Sequence, residues 1–134
     1  MLKVENLKLG YDNVPVIFDV SLEVHEKEVV SIVGSNGAGK STILRGLSGV
    51  IKPMAGTITF MGETINHVPA HRLVEMGMAH VPEGRQLFGK LSVRENLMLG
   101  AYVLKDGKTK KDCLEQVYDL FPRLKEREIG RAHV

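Results

Sequence analysis

The residues of this chain best placed to do chemistry are consecutive: Gly34-Ser35-Asn36-Gly37-Ala38-Gly39-Lys40-Ser41-Thr42 satisfies the phosphate-loop pattern G-x-x-x-x-G-K-[ST] at every fixed position. At ordinary residue usage the bare pattern arises by chance on the order of once per few hundred chains of this length. Gly34, Gly37 and Gly39 permit backbone angles closed to other residues and let the main chain approach a phosphate. Successive N–H groups of the loop then point into one concavity that suits an anion. The N-terminus of a following helix adds about half a positive charge there. Lys40 supplies a full charge, directed to the β- and γ-phosphates. The Ser41 hydroxyl is a hard oxygen ligand for Mg²⁺, an ion that binds through few protein groups plus substrate phosphates. Thr42 adds a second hydroxyl near the helix start. The whole loop therefore reads as the binding site of a nucleoside triphosphate with Mg²⁺.

Strand, glycine loop and helix are the elements such a site needs. The apolar run Glu28–Val33 is expected to be the strand, and Ser41–Leu47 the helix. Upstream, Leu2–Leu9 and Val16–Val24 alternate apolar and polar residues like half-buried strands, with Gly10-Tyr11-Asp12-Asn13 as a turn and Tyr11 at its tip. Downstream, Thr57–Met61 is a β-branched strand, Pro69–Gly77 a short helix, and Met78–Pro82 a buried-type strand that Pro82 stops. Ser92-Val93-Arg94-Glu95 is a capping box opening a helix to about Val103. A second helix is expected from a cap near Thr109, with Cys113, Val117, Leu120 and Phe121 along its apolar side. The order reads as an α/β fold: an N-terminal antiparallel β portion and phosphate-loop core over 1–91, then the start of a helical subdomain over 92–128.

Composition narrows the class. The 134 residues suffice for one domain with a core. A net charge of +2 is too mild to argue for nucleic acid. The single Cys113 excludes an internal disulfide and suits a reducing compartment. No apolar stretch approaches the roughly 18 residues of a membrane span, and the first residues have no signal-peptide profile. The expectation is a soluble, cytoplasmic chain. Five histidines, His25, His67, His71, His80 and His133, show no metal-ligand spacing and are expected at the surface or in packing roles.

With two strands ahead of the loop, Tyr11 at the turn and no Asn-Lys-x-Asp motif, the arrangement departs from a kinase or small GTPase and resembles the ATP-binding subunit of ABC transporters over roughly residues 1–128. The resemblance implies that Tyr11 stacks on adenine and that Val16 packs near the same base. It also implies a Gln after the Val-Pro strand end, which helps hold Mg²⁺ and the attacking water. Here that position is Glu83, a carboxylate able to reach a hard cation at the cost of negative charge near a triphosphate. Gln86 is a weaker candidate for the role. Val81-Pro82-Glu83-Gly84-Arg85, with Leu91–Leu97 and Leu99–Tyr102, resembles the branch of branched-chain amino acid importers, with urea-uptake ATPases as near neighbours. The resemblance further implies a second ATP-binding subunit, transmembrane permease subunits contacted near residues 92–121, and a peripheral place on the inner face of the cell membrane.

Other family landmarks have no counterpart in these residues. There is no Leu-Ser-Gly-Gly signature, no apolar strand ending in Asp-Glu and no switch histidine. Leu47-Ser48-Gly49 mimics the signature's first letters but belongs to the end of the phosphate-loop helix. The general base of hydrolysis is thus expected outside these residues, and the chain is expected to be an N-terminal fragment that binds nucleotide without turning it over. Residues 129–134 do not resemble the family's continuation. They can be back-translated to a common sequencing-library adapter, so a non-native tail is expected there.

Overall fold

A computed structural model describes residues 1–132 except 36, 38, 85, 86, 103, 105 and 131. The chain forms two compact units, Met1–His80 and Val81–Val134.

The first unit is built on an antiparallel sheet of β1 (Leu2–Tyr11), β2 (Val14–Val24), β3 (Ala55–Phe60) and β4 (Glu63–Thr64), in the order β2-β1-β3-β4. Asp12 and Asn13 make the two-residue turn between β1 and β2, both at positive φ (49° and 65°). Such angles give a tight hairpin whose twist matches its strands. The turn is therefore shorter than its sequence suggests: Tyr11 ends β1, paired with Val14, instead of standing at the turn tip.

Strict alternation also fails inside both strands, for a local reason. In β1 the buried residues are Val4, Leu7 and Leu9, and β2 buries Ile17 and half-buries Val20, Leu22 and Val24. Each series contains one three-residue step. Register shifts between Val4 and Leu7 and between Leu7 and Leu9 absorb the extra residues. Asn6 and Asp19 take φ of 50° within these irregularities, and the Asn6 amide donates to Asp19 Oδ1 at 2.7 Å. The two bulges thus keep the same face of each strand on the core.

That core joins the sheet to α1 (Lys40–Leu47) and α2 (Ala70–Glu75) through Leu7, Leu9, Ile17, Ile43, Leu47, Ile58, Phe60, Ile65 and Leu73. The Asn66 side chain accepts from Ile58 N–H and donates to the Gly56 carbonyl, binding the segment after β4 to β3. The strands expected over Glu28–Val33 and Met78–Pro82 are not formed. Neither run joins a ladder, and Val29, Val33 and Val81 are 93%, 92% and 87% exposed. A strand needs a neighbour for its N–H and C=O groups, and the described residues supply none for these two runs.

The second unit holds α3 (Val93–Leu99), α4 (Gly107–Leu120) and α5 (Pro122–Glu126). The capping box forms in full: Ser92 Oγ accepts from Glu95 N–H while Glu95 Oε1 accepts from Ser92 N–H, both at 3.1 Å. The helix it opens is shorter than expected, ending at Leu99. The cap of α4 is Asp106 and not a residue near Thr109, since its carboxylate accepts from Lys108 N–H and Thr109 Oγ1. The buried side of α4 also differs from expectation. Tyr118 is buried, with Leu114 and Val117 half-buried, whereas Cys113, Leu120 and Phe121 are exposed. Glu128, Gly130 and Ala132 lie against the start of α3: Val93 N–H donates to the Gly130 carbonyl, Arg94 N–H to Glu128, and Ala132 N–H to Leu91.

Candidate functional site

The loop's local geometry follows from its glycines. Gly37 and Gly39 have φ of 84° and 93°. Gly39 is the N-cap of α1, and its carbonyl accepts the Ile43 N–H at 3.0 Å, so the helix starts at Lys40. A Cβ on Gly39 would run into the Ile17 side chain. Only glycine therefore allows both the left-handed angle and the close packing of the loop on β2. The Lys40 ammonium donates to the Gly34 carbonyl, joining the two ends of the loop. The first turn of α1 carries no acidic residue, so nothing there opposes an anion at the positive end of the helix. Ser41 is exposed and Thr42 buried. Asn36 and Ala38 lie outside the described residues.

Tyr11 approaches this helix from the sheet. Its phenol oxygen is 3.3 Å from Thr42 Oγ1 and accepts from Arg45 Nη1 at 2.9 Å. The hydrogen bond with Thr42, then that with Arg45, holds the phenol below its ordinary 10.0. Tyr11 and Val16 are partly exposed on the hairpin that carries Ile17. The structure thus gathers Tyr11, Gly39, Lys40 and Thr42 around the first turn of α1. Glu83 belongs to the second unit, where it is exposed in a bend. Gln86 lies outside the described residues.

Two side-chain pairings were not anticipated from sequence. Arg45 is one turn beyond Thr42 on the same helix face, a spacing that sequence does show; its tie to Tyr11, 34 residues away, has no sequence signal. Ser48 and His80 are the other pair: Ser48 Oγ lies 3.2 Å from His80 Nδ1 and 3.3 Å from the Arg45 carbonyl. Ser48 caps the end of α1, so Leu47-Ser48-Gly49 is a helix terminus. His133 lies outside the described residues. No group of three or more His, Cys, Asp or Glu that could hold a metal ion occurs among the described residues.

A sequence profile described as ABC transporter matches residues 17–134. The chain belongs to the ABC transporter family. Within that family it is 39% identical over 132 residues to the high-affinity branched-chain amino acid transport ATP-binding protein BraG of Pseudomonas aeruginosa. That match covers 98% of this chain and 56% of BraG. The protein described as probable branched-chain amino acid transport ATP-binding protein LivF of Archaeoglobus fulgidus is 33% identical over 125 residues, covering 93% of this chain and 52% of its own length. The chain therefore spans about half the length of these relatives. A solved ATP-binding subunit of an ABC transporter superposes with a TM-score of 0.82 at 29% identity, covering 98% of this chain and 54% of that one. A dimeric ATP-binding cassette solved in a post-hydrolysis state with ADP and Pi shares the fold, with a TM-score of 0.77 at 24% identity over 99% of this chain and 62% of its own. The expected fold class, a phosphate-loop core of the ABC ATPase type with an antiparallel β portion, is the one observed. No described helix is long and apolar enough to cross a membrane.

Proposed function

We propose that this ABC-family chain is the nucleotide-binding part of an ATPase subunit that drives import of branched-chain amino acids. The observation that carries the reading is the glycine loop running into α1, with Lys40 at its first position and no acidic residue in the first turn. Gly34 to Thr42 would hold the phosphates, Lys40 at the β- and γ-phosphates. Ser41, exposed in that first turn, would hold Mg²⁺, and the Glu83 carboxylate would be a further ligand for it. Mg²⁺ would supply neutralisation of charge developing on the phosphates. Tyr11 would stack on adenine, with Val16 beside the base. The names of the BraG and LivF relatives support the choice of cargo.

The subunit would work as a pair with a second ATP-binding subunit, docked on permease subunits at the inner face of the membrane through the helical segment 92–121. No apolar run ending in Asp-Glu occurs in the 134 residues. These residues alone would therefore bind ATP without turning it over, since positioning and charge stabilisation remain while the activator of water is missing.

Calorimetric titration of the purified chain with ATP and Mg²⁺ tests the binding reading. Saturable binding that Lys40→Ala abolishes is expected, and equal binding by that variant would overturn it. Catalytic turnover that Lys40→Ala removes would overturn the non-hydrolysing reading. For the cargo, deletion of the parent gene should lower cellular leucine uptake. Unchanged leucine uptake with impaired urea uptake would shift the reading to a urea importer.

A further inference from the structure

We propose that Arg45 is a positioning residue for the nucleotide base: with Thr42 it clamps the Tyr11 phenol and so fixes the stacking ring relative to the phosphate-holding end of α1. The inference rests on the reading that Tyr11 meets adenine.

The direction of the Arg45 contact is set by the donor inventory. A guanidinium has no acceptor, so in the Arg45–Tyr11 contact at 2.9 Å the phenol oxygen accepts. Thr42 Oγ1 lies 3.3 Å from the same phenol oxygen, and either hydroxyl can be the donor. The result is one phenol oxygen held by both Arg45 and Thr42. Thr42 is buried and Arg45 stands one helical turn further on. Two anchors on one rigid element therefore hold the tip of a side chain that comes from a different element, β1. Tyr11 is otherwise the last residue of a strand, beside a two-residue turn and 37% exposed. An unanchored ring there would sample several rotamers, and ordering it on binding would cost affinity. The clamp removes that cost in advance. It also sets the spacing between base and phosphates, because the helix that grips the ring begins at Lys40. Arg45 would thus act on the base end of the ligand while remaining off the phosphates.

A pair of ligands separates these roles: ATP, which has a base, and inorganic tripolyphosphate, which does not. Both are titrated into the purified chain and into Tyr11→Ala, Tyr11→Phe, Arg45→Met, Arg45→Lys and the Tyr11→Phe/Arg45→Met double variant, each checked for an intact unfolding transition. Arg45→Gln replaces Arg45→Met if the latter unfolds. Tyr11→Ala should weaken ATP by about 5- to 150-fold. Tyr11→Phe keeps the stacking face and Arg45→Met keeps the ring, so each should lose about two- to tenfold. The double variant should lose no more than the larger single effect, and Arg45→Lys should recover most of the loss. Tripolyphosphate binding should change less than ATP binding throughout, because the Arg45 guanidinium is engaged at the Tyr11 oxygen.

Equal weakening of both ligands by Arg45→Met would make Arg45 a phosphate-side cation and overturn the proposal. Wild-type ATP affinity in Tyr11→Phe and Arg45→Met, with loss in Tyr11→Ala, would overturn the clamp and leave stacking in place. Unchanged affinity in Tyr11→Ala would sink the base reading itself, and with it the clamp. Absence of ATP binding by the unsubstituted chain would overturn both.

Discussion

Two tyrosines show how the same side chain is tuned in opposite directions by its partners. Hydrogen bonds at the Tyr11 oxygen favour its phenolate, chiefly the one with Thr42 and then the one with Arg45. Tyr118 is buried and its O–H donates to Glu128 at 2.9 Å, so burial first and the carboxylate second raise its phenol above the ordinary 10.0. The signs of the linked stabilities follow. The Tyr11 contribution grows as pH rises from its lowered value and is complete above 10.0, whereas that of Tyr118 is complete below 10.0 and fades as pH passes its raised value. Ultraviolet titration should therefore show Tyr11 ionising before Tyr118, with the earlier step missing in Tyr11→Phe and the later one missing in Tyr118→Phe. Gly39 gives the other test at this scale. At φ 93°, with Ile17 against the missing Cβ, Gly39→Ala should cost about 1–2 kcal/mol from the left-handed angle alone. Urea unfolding would read that loss, and weakened ATP binding should accompany it as the loop is displaced.

Among the elements, α3 has the clearest single determinant. Removing the Ser92 hydroxyl unpairs a first-turn N–H, so Ser92→Ala should cost about 1 kcal/mol, measured as a lower unfolding midpoint. The Glu95 carboxylate is held below its ordinary 4.5, mainly by the Ser92 N–H. Its contribution is thus present above 4.5 and lost as pH falls through the lower folded value. Glu95→Gln preserves an acceptor and should abolish this acid sensitivity in circular dichroism; persistence of the same pH dependence would reject the box as its source. The box was legible in sequence because all of its atoms lie within four consecutive residues. The face that α4 buries was not: two apolar rows compete along that helix, and packing within the second unit selects Leu114, Val117 and Tyr118 over Cys113, Leu120 and Phe121. The bulges in β1 and β2 were similarly hidden, since Asn6 and Asp19 reveal their shared role only once the strands are paired.

For the whole molecule the salient property is exposed apolar surface. Val29, Val33, Leu120 and Ile129 are 93%, 92%, 74% and 90% exposed. Surfaces of this kind mark interaction sites or drive association. The purified chain should bind a hydrophobic dye such as anilinonaphthalene sulfonate and self-associate with rising concentration in light scattering. Val29→Thr with Val33→Thr should reduce both signals, and an unchanged dye response would show that this run is not the responsible surface. The run also explains why an apolar, β-branched sequence did not become a strand: its side chains favour one, but a ladder requires a second backbone.

Features carried by contiguous residues were readable without any tertiary contact. The nine-residue phosphate loop, the helix after it, the capping box and the likeness to ABC ATPases all rest on short-range patterns whose backbone consequences are local. Tertiary structure alone decided which distant groups meet. Tyr11 lies 31 residues from Thr42 and 34 from Arg45, and nothing in their spacing joins them until β1 and α1 pack on one core. Whether Glu28–Val33 forms a strand was likewise a tertiary matter, because backbone pairing belongs to neighbours in space.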